Sequence, residues 1–91
     1  MSAQVKEQEV GLLEREASSS HEIVLHNDDV NTFSHVIISL MEVCSHEPLQ
    51  AEQCAWIVHN NGKCSVKRGA YDDLEPMCSA LQIRGLSADI N

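Results

Sequence analysis

The chain has 91 residues, enough for one domain with a modest core, because a domain of this size buries only about 60% of its unfolded surface. It carries 14 acidic and 6 basic residues, a formal net charge of −8, which argues against nucleic acid or an anionic membrane surface as the partner. The same charge suits a partner that is positively charged where it makes contact, such as a protonated amine.

Residues 1–20 are predicted to form a flexible N-terminal extension, and residues 21–91 a separate folded domain. The first 16 residues mix charged with apolar side chains, and residues 18–20 are three serines, a composition typical of a flexible linker. We favour a disordered, solvated tail. The alternative is a tail that contacts a partner protein.

The first predicted element is a strand over residues 22–26, which are rich in β-branched and apolar side chains and stop at the turn-forming residues 27–29. Asn31 or Thr32 can cap the helix that follows by accepting from its free backbone N–H groups. Apolar residues then recur with the spacing of one helical face. The members of that face are Phe33, Val36, Ile37, Leu40, Met41 and Cys44.

A second helix is predicted to open at Pro48, because the first helical position does not need the N–H that proline lacks. Gly62 is expected to end it in the left-handed conformation that glycine tolerates best. The residues of its inner face are Ala51, Cys54, Ala55 and Val58. A short strand over residues 64–66 follows, closed by Gly69.

A third helix is predicted from about Tyr71 to a stop at Gly85, with Pro76 near its first turn, where a proline is tolerated or bends the axis. Its inward residues are Leu74, Met77, Cys78 and Leu81. The alternation of apolar and polar residues over 86–90 suits a final strand. The order β-α-α-β-α-β predicts an α+β domain, in which three strands form one antiparallel sheet covered on one face by three helices.

Two segments supply a candidate site. Asn27, Asp28 and Asp29 lie where the first strand ends, and His59 lies near the end of the second helix. If both helices pack on the same sheet, an amide, a carboxylate and an imidazole converge as acceptors for the three N–H donors of an ammonium group. Two simpler interpretations stay open: the turn as ordinary capping chemistry, and His59 as compensation of the helix dipole.

The same residues form a pattern that resembles the ClpS adaptor family. The family's hallmark is an Asn-Asp-Asp turn, here at residues 27–29, followed about thirty residues later by a Val-His-x-x-Gly-Lys helix end, here at residues 58–63. Both halves are present at that spacing, and the resemblance covers roughly residues 22–90. Four further residues extend the pattern: Leu25, Phe33, Val36 and Ala55.

The resemblance implies an adaptor without enzymatic activity, metal or cofactor. Such an adaptor binds proteins that begin with Leu, Phe, Tyr or Trp and delivers them to a Clp-type AAA+ protease. The resemblance implies that Asn27, Asp28 and His59 receive the α-amino group and first peptide unit of the bound protein.

It also implies a deep apolar pocket for the first side chain, with Thr32 at the rim and a contribution from Leu86 on the last strand. The walls of that pocket would be Leu25, Phe33, Val36, Ala55 and Val58. The alternative for these residues is plain core packing, although the walls of a pocket can serve as both.

The chain departs from the family pattern in two places. Many relatives carry Thr-Pro-Met where residues 31–33 are Asn-Thr-Phe here, and an aromatic ring is larger and less adaptable than a thioether. We therefore do not expect equal acceptance of the four N-terminal residues, least of all of Trp. The family docks on its ATPase through an acidic and a basic residue of the third helix. Asp72 matches the acid, but the basic position falls near Pro76 and Met77, so the docking surface is expected to differ.

By the same resemblance, the partner is the N-terminal domain of a Clp-type AAA+ unfoldase, which hydrolyses the ATP while residues 1–20 trail toward its pore. Neither nucleic acid nor a membrane enters this interpretation. The compartment it implies is the bacterial cytoplasm. That agrees with the lack of any apolar run near the ~20 residues of a membrane span and of an export signal in the N-terminal stretch.

The sequence gives less support to three other classes of function: a zinc protein, an enzyme and a small protein-interaction module. Cys44, Cys54, Cys64 and Cys78 are expected as free thiols in a reducing compartment, and they are spaced too widely for a structural zinc site. An enzyme built on Asp28, His59 and a cysteine is disfavoured, because no cysteine adjoins His59 in the predicted layout. The stronger alternative is a small α+β protein-interaction module without a pocket for an N-terminus.

Overall fold

The computed structural model describes residues 21–91, and the extension predicted over residues 1–20 lies outside the described part. The elements are β1 (His21–His26), α1 (Phe33–Cys44), α2 (Pro48–Asn61), β2 (Lys63–Gly69), α3 (Tyr71–Ile83) and β3 (Ser87–Ile90). The three strands form one antiparallel sheet in the order β2-β1-β3. The predicted α+β architecture and the predicted order of elements are confirmed.

The central strand β1 carries the core. Ile23 and Leu25 are almost completely buried and point into the main hydrophobic cluster, whereas Val24 between them is buried outside it, as the two-residue period of a strand requires. The helices cover that cluster from one side of the sheet. Their buried members in the cluster are Leu40, Cys44, Ala51, Val58, Leu74, Cys78 and Leu81.

β2 is longer than the strand predicted over residues 64–66. It pairs with β1 from His21 opposite Gly69 to His26 opposite Lys63, and the register shifts between Ile23 and Val24. The shift leaves one extra residue on β2, which is the arrangement of a β-bulge. Residues that read as weak strand formers are therefore held extended by a partner whose ladder runs the full length of β1.

The helix ends follow the predicted capping chemistry. The Thr32 hydroxyl accepts from the His35 N–H at 3.1 Å at the start of α1, and Gly62 ends α2 at a φ of +93°. Pro76 lies inside α3, deeper than the first turn in which it was predicted. Its missing N–H removes the helical bond that would reach back to the carbonyl of Asp72.

Both edges of the sheet are protected by a side chain. His46 Nε2 donates to the Val66 carbonyl of β2 at 2.6 Å, and Gln82 Nε2 donates to the Ala88 carbonyl of β3 at 2.8 Å. Each bond occupies a carbonyl that an added strand would otherwise use. The described helices are all too short or too polar to cross a membrane.

α1 ends at a strained residue, which gives a stability prediction. Ser45 has a φ of +58° and is the one non-glycine residue of the described chain with a positive φ. An L-residue held in the left-handed region costs about 1–2 kcal/mol. Glycine removes that cost but loses about 0.5–1 kcal/mol more chain entropy on folding. We expect Ser45→Gly to raise the free energy of unfolding by about 0.5–1 kcal/mol, measured by urea denaturation.

Ser79→Gly is the matched control, because Ser79 is an exposed serine within α3. There the same substitution should destabilise the protein, since glycine is the poorer helix former. Equal effects of the two substitutions would contradict the assignment of strain to Ser45.

Candidate functional site

The end of β1 is tied to the end of α2 by a backbone hydrogen bond. The Asn27 N–H donates to the Gly62 carbonyl at 2.8 Å. Gly62 presents that carbonyl because it turns the chain out of α2 in the left-handed region. The turn at residues 27–29 is thereby placed beside the last turn of α2, which carries His59.

Asp28 organises the turn through both carboxylate oxygens. Oδ1 accepts from the backbone N–H groups of Val30 and Asn31, each at 2.9 Å, and Oδ2 accepts from the Asn31 side-chain amide at 2.8 Å. The backbone bond from Asn31 is the largest cause of a lowered Asp28 pKa. Partial burial opposes it, and the other two bonds add to it. Asp28 is therefore ionised at neutral pH, with lone-pair capacity left on Oδ2.

Asn31, which the sequence predicted as a possible helix cap, bonds through its side chain to the Asp28 turn. Its side-chain nitrogen donates to Asp28 Oδ2 and to the Gly85 carbonyl at 2.9 Å, so it links the turn to the segment between α3 and β3. With both amide hydrogens in use, its side-chain oxygen is left as an acceptor. The sequence does offer a signal for the bond to Asp28, because an asparagine lies three residues after an aspartate. It offers none for the bond to Gly85, which is 54 residues away.

A cavity of about 350 Å³ opens between the turn, α1 and α2, and we call it the Asp28 cavity. Its lining residues are Asn27, Asp28, Asp29, Asn31, Phe33, Val36, Ala55, Val58 and His59. All three residues predicted to hold an amine therefore face one space with four of the predicted apolar wall residues. Leu25 and Leu86 line a smaller recess of about 20 Å³, which shares five lining residues with the Asp28 cavity: Asn27, Asp28, Asn31, Val36 and Val58.

Thr32 is not among the lining residues of the Asp28 cavity, although its chain neighbours Asn31 and Phe33 are. Its hydroxyl is turned toward the first turn of α1, where it accepts from the His35 N–H. The neighbouring Asn31 does line the cavity, and its side chain is held there by its bonds to Asp28 and Gly85.

The Asp28 cavity has a polar side and an apolar side. The turn residues and His59 supply oxygen and nitrogen atoms at one end, whereas Val36, Ala55 and Val58 supply only carbon. Phe33 and His59 face each other from α1 and α2, with ring centroids 6.4 Å apart and planes at 81°. This edge-to-face pair brings two aromatic rings together on the cavity lining.

The cysteines lie apart from the Asp28 cavity, and all four are free. Burial raises the pKa of Cys44 and Cys78, and burial together with the neighbouring Cys64 raises the pKa of Cys54 to about 12. Thiols that stay protonated are poor nucleophiles and poor metal ligands. Within residues 21–91, no group of three or more His, Cys, Asp or Glu side chains is placed to hold a metal ion.

Comparisons with known proteins found a matching family and a solved structure with a similar fold. A family model described as ATP-dependent Clp protease adaptor protein ClpS matches residues 16–88. Among solved structures, ClpS2 of Agrobacterium tumefaciens bound to L-phenylalaninamide has the same fold, with a TM-score of 0.73 and 18% sequence identity. The match covers 78% of this chain and 93% of that chain. No curated protein sequence matches this chain.

The lowered pKa of Asp28 gives a prediction about stability and pH. Its ionised form stabilises the fold fully above the pKa of an unfolded Asp, ~3.9, and that stabilisation is lost as pH falls through the lower folded value. Asp28→Asn replaces an acceptor by a donor opposite the Asn31 amide. We expect the variant to be less stable than the parent at about pH 5–7, with a difference that shrinks below about pH 4, measured by urea denaturation.

Asp29→Asn is the control, because it removes the same charge from an exposed neighbour that makes no side-chain hydrogen bond within the described residues. It should leave stability nearly unchanged across this range. A stability difference for Asp28→Asn that stayed constant down to about pH 2 would contradict the role given to its charge.

Proposed function

This chain belongs to the ClpS family of ATP-dependent Clp protease adaptor proteins, and we propose that its Asp28 cavity binds the free N-terminus of proteins to be degraded. The proposed ligands begin with a large hydrophobic residue: Leu, Phe, Tyr or Trp. The observation that carries the proposal is that Asp28 and His59 both line one cavity, together with apolar residues of α1 and α2.

The polar end of the Asp28 cavity suits an α-ammonium group. Such a group has three N–H donors and needs three acceptors. Asp28 Oδ2 has capacity left after its bond to Asn31, and the Asn27 amide and the His59 ring lie on the same lining. The ionised state of Asp28 adds charge to these bonds, and bonds to charged groups contribute roughly 1.5–3 kcal/mol each.

The apolar end suits one large side chain. Val36, Ala55 and Val58 offer a surface that water leaves on binding, and burying a Leu or Phe side chain contributes about 1.5–3 kcal/mol. The adjoining recess is lined by Leu25 and Leu86 as well as by residues of the turn, and these two leucines add apolar surface beside the Asp28 cavity. Phe33 narrows the entrance and should disfavour the largest ring system, that of Trp.

The ligand of the similar Agrobacterium tumefaciens structure supports the same assignment. L-phenylalaninamide has a free α-amino group, a benzyl side chain and an amide where a peptide chain would continue. In this chain the polar end would receive the amino group and the apolar end would receive the side chain. Asn27 and His59 at the rim would receive the amide.

Delivery requires contact with the protease, and we propose that the contact is made with the N-terminal domain of its AAA+ unfoldase. Asp72 is exposed in the first turn of α3 and would serve as the acidic docking residue. Pro76 and Met77 stand where relatives carry the basic one, so the partner surface facing them should be less acidic. The compartment we propose is the cytoplasm, as the family resemblance implies.

The first test is a binding titration followed by fluorescence anisotropy. A ten-residue peptide with N-terminal Phe should bind with micromolar or tighter affinity, and N-acetylation should abolish binding because it removes the charge and donors of the amine. Asp28→Ala and His59→Ala should each weaken binding by roughly 10- to 100-fold, the equivalent of one bond to a charged group.

Asp72→Asn is the matched control, because it removes one negative charge on the exposed face of α3, outside the Asp28 cavity. It should bind the peptide as the parent does. Equal affinity for the acetylated and free peptides would refute amine recognition and favour a protein-interaction module without an N-terminus pocket.

A second test concerns the shape of the first side chain. Leu and Ile are isomers of equal volume, but Ile branches at Cβ and is stiff at its first torsion. A narrow cavity entered between Phe33 and His59 should therefore accept Leu and reject Ile. We expect peptides that begin with Ile or Val to bind at least about 10-fold more weakly than the Leu peptide, in competition against labelled Phe peptide. Equal competition by Leu and Ile would contradict the narrow entrance.

A further inference from the structure

Trp56 lies on the surface of α2 next to the Asp28 cavity. It is the only tryptophan of the chain, and 60% of its surface is exposed. It precedes His59 by three residues, and residues three apart on a helix are neighbours, with Cβ atoms about 5–6 Å apart. His59 lines the Asp28 cavity and faces Phe33. A large exposed indole therefore lies within one helical turn of the cavity lining.

α1 and α2 run in opposite directions at this surface. The start of α1 meets the end of α2 at the Phe33–His59 pair, and the other ends of the two helices line a second cavity together. One turn along α1 from Phe33 is Ile37, which is half-buried, and one turn back along α2 from His59 is Trp56. We call Phe33, Ile37 and Trp56 the Trp56 surface.

The ligand of the Asp28 cavity would leave it toward this surface. Under the function proposed above, Asp28 receives the α-ammonium group and His59 receives the first peptide unit. The main chain of the ligand then runs from the turn at residues 27–29 toward α2. Trp56 is nearer to His59 along α2 than Leu49, the other large exposed hydrophobic residue of that helix.

The geometry of an extended peptide selects one ligand residue for the Trp56 surface. Side chains alternate along an extended chain, so the second points away from a surface that the first enters, and the third points toward it again. The third residue lies about 7 Å beyond the first. That length is close to the separation of about 5–6 Å between the Cβ atoms of neighbours one turn apart on a helix, which is the step from His59 to Trp56.

From this geometry we propose that the Trp56 surface binds the third side chain of the bound N-terminus and favours an aromatic one. The proposal rests on the function proposed above. An aromatic third side chain would cover the indole and gain from contact between the rings. A polar third side chain would lose hydration against a surface that offers it almost no hydrogen-bond partner.

The test is a titration of the full chain with labelled ten-residue peptides that begin with Leu and carry Phe or Ser in third place. The Phe peptide should bind about 3- to 10-fold more tightly, the range that a favourable aromatic contact supplies. Trp56→Ala should bind the Ser peptide within about 2-fold of the parent. It should lose most of the gain that Phe gives to the parent.

Leu49→Ala is the matched control. Leu49 lies two turns before Trp56 on the same face of α2 and is 67% exposed, but it is farther from the Asp28 cavity. This variant should keep the full preference for Phe in third place. Equal losses in Leu49→Ala and Trp56→Ala would overturn the proposal. So would an equal gain from Phe in second place, because that side chain should point away from the surface.

The fluorescence of Trp56 reports directly on what covers it. Its emission should move to shorter wavelength when the peptide with Phe in third place binds, and less when the Ser peptide binds. An emission that shifts on dilution of the free protein would assign the surface to a second copy of the chain. An emission typical of a buried indole at every concentration would assign it to residues 1–20. Either result would overturn the proposal.

The failure of this proposal can be told from the failure of the proposed function. If neither peptide binds, the function proposed for the Asp28 cavity is refuted, and the role of the Trp56 surface with it. If both bind equally and both are lost on N-acetylation, recognition of the amine stands and only the Trp56 surface is refuted.

Discussion

One backbone hydrogen bond, from the Asn27 N–H to the Gly62 carbonyl, decides where the rest of the Asp28 cavity stands. It joins the first residue after β1 to the first residue after α2, two points 35 positions apart. On one side of it lies the Asp28 turn, and on the other lies the His59 ring. Gly62 can offer its carbonyl there because a φ of +93° turns the chain back along β1 without steric cost.

Asp28 shows how one side chain can hold a turn and still keep an acceptor free for a ligand. Three of its acceptor positions hold the turn against Val30 and Asn31, which fixes the remaining one in space before any ligand arrives. A site that is ordered in advance loses less free energy on binding than one that must be ordered by its ligand. Asn31 extends the same order to Gly85, so the segment between α3 and β3 also supports the turn.

Charge is distributed unevenly over the described domain. Carboxylates of the turn face the Asp28 cavity, whereas a second cavity, at the edge of β2 beside Lys67 and Arg68, has cationic and neutral lining residues only. The two spaces lie at opposite ends of α2, the first beside its C-terminal turn and the second beside its N-terminal turn. The dipole of α2 adds to this difference in electrostatic potential. Its negative C-terminal end lies beside the carboxylates, and its positive N-terminal end lies beside the cations.

Much of the fold could be predicted because its signals are local. The helix from Phe33 to Cys44, the proline that opens α2 and the glycine that closes it are each written in a few neighbouring residues. Each of these predictions was confirmed, although Phe33, the first member of the predicted inner face, is 40% exposed. The boundaries of β2 were not predictable in the same way. A strand that reads as Lys-Cys-Ser-Val-Lys-Arg-Gly owes its length to the ladder on β1, and a ladder partner is not a property of the strand's own sequence.

The sequence by itself determined the chemistry of the candidate site: an amide, a carboxylate and an imidazole beside apolar residues, in the pattern of a known family. The tertiary structure decided which of those residues share one space. It turned the Asn31 side chain toward the Asp28 cavity, because the Asn31 amide finds its second partner in Gly85 across 54 residues. Local patterns fix which bonds a side chain can make, whereas only the packed chain fixes which distant partner is within reach.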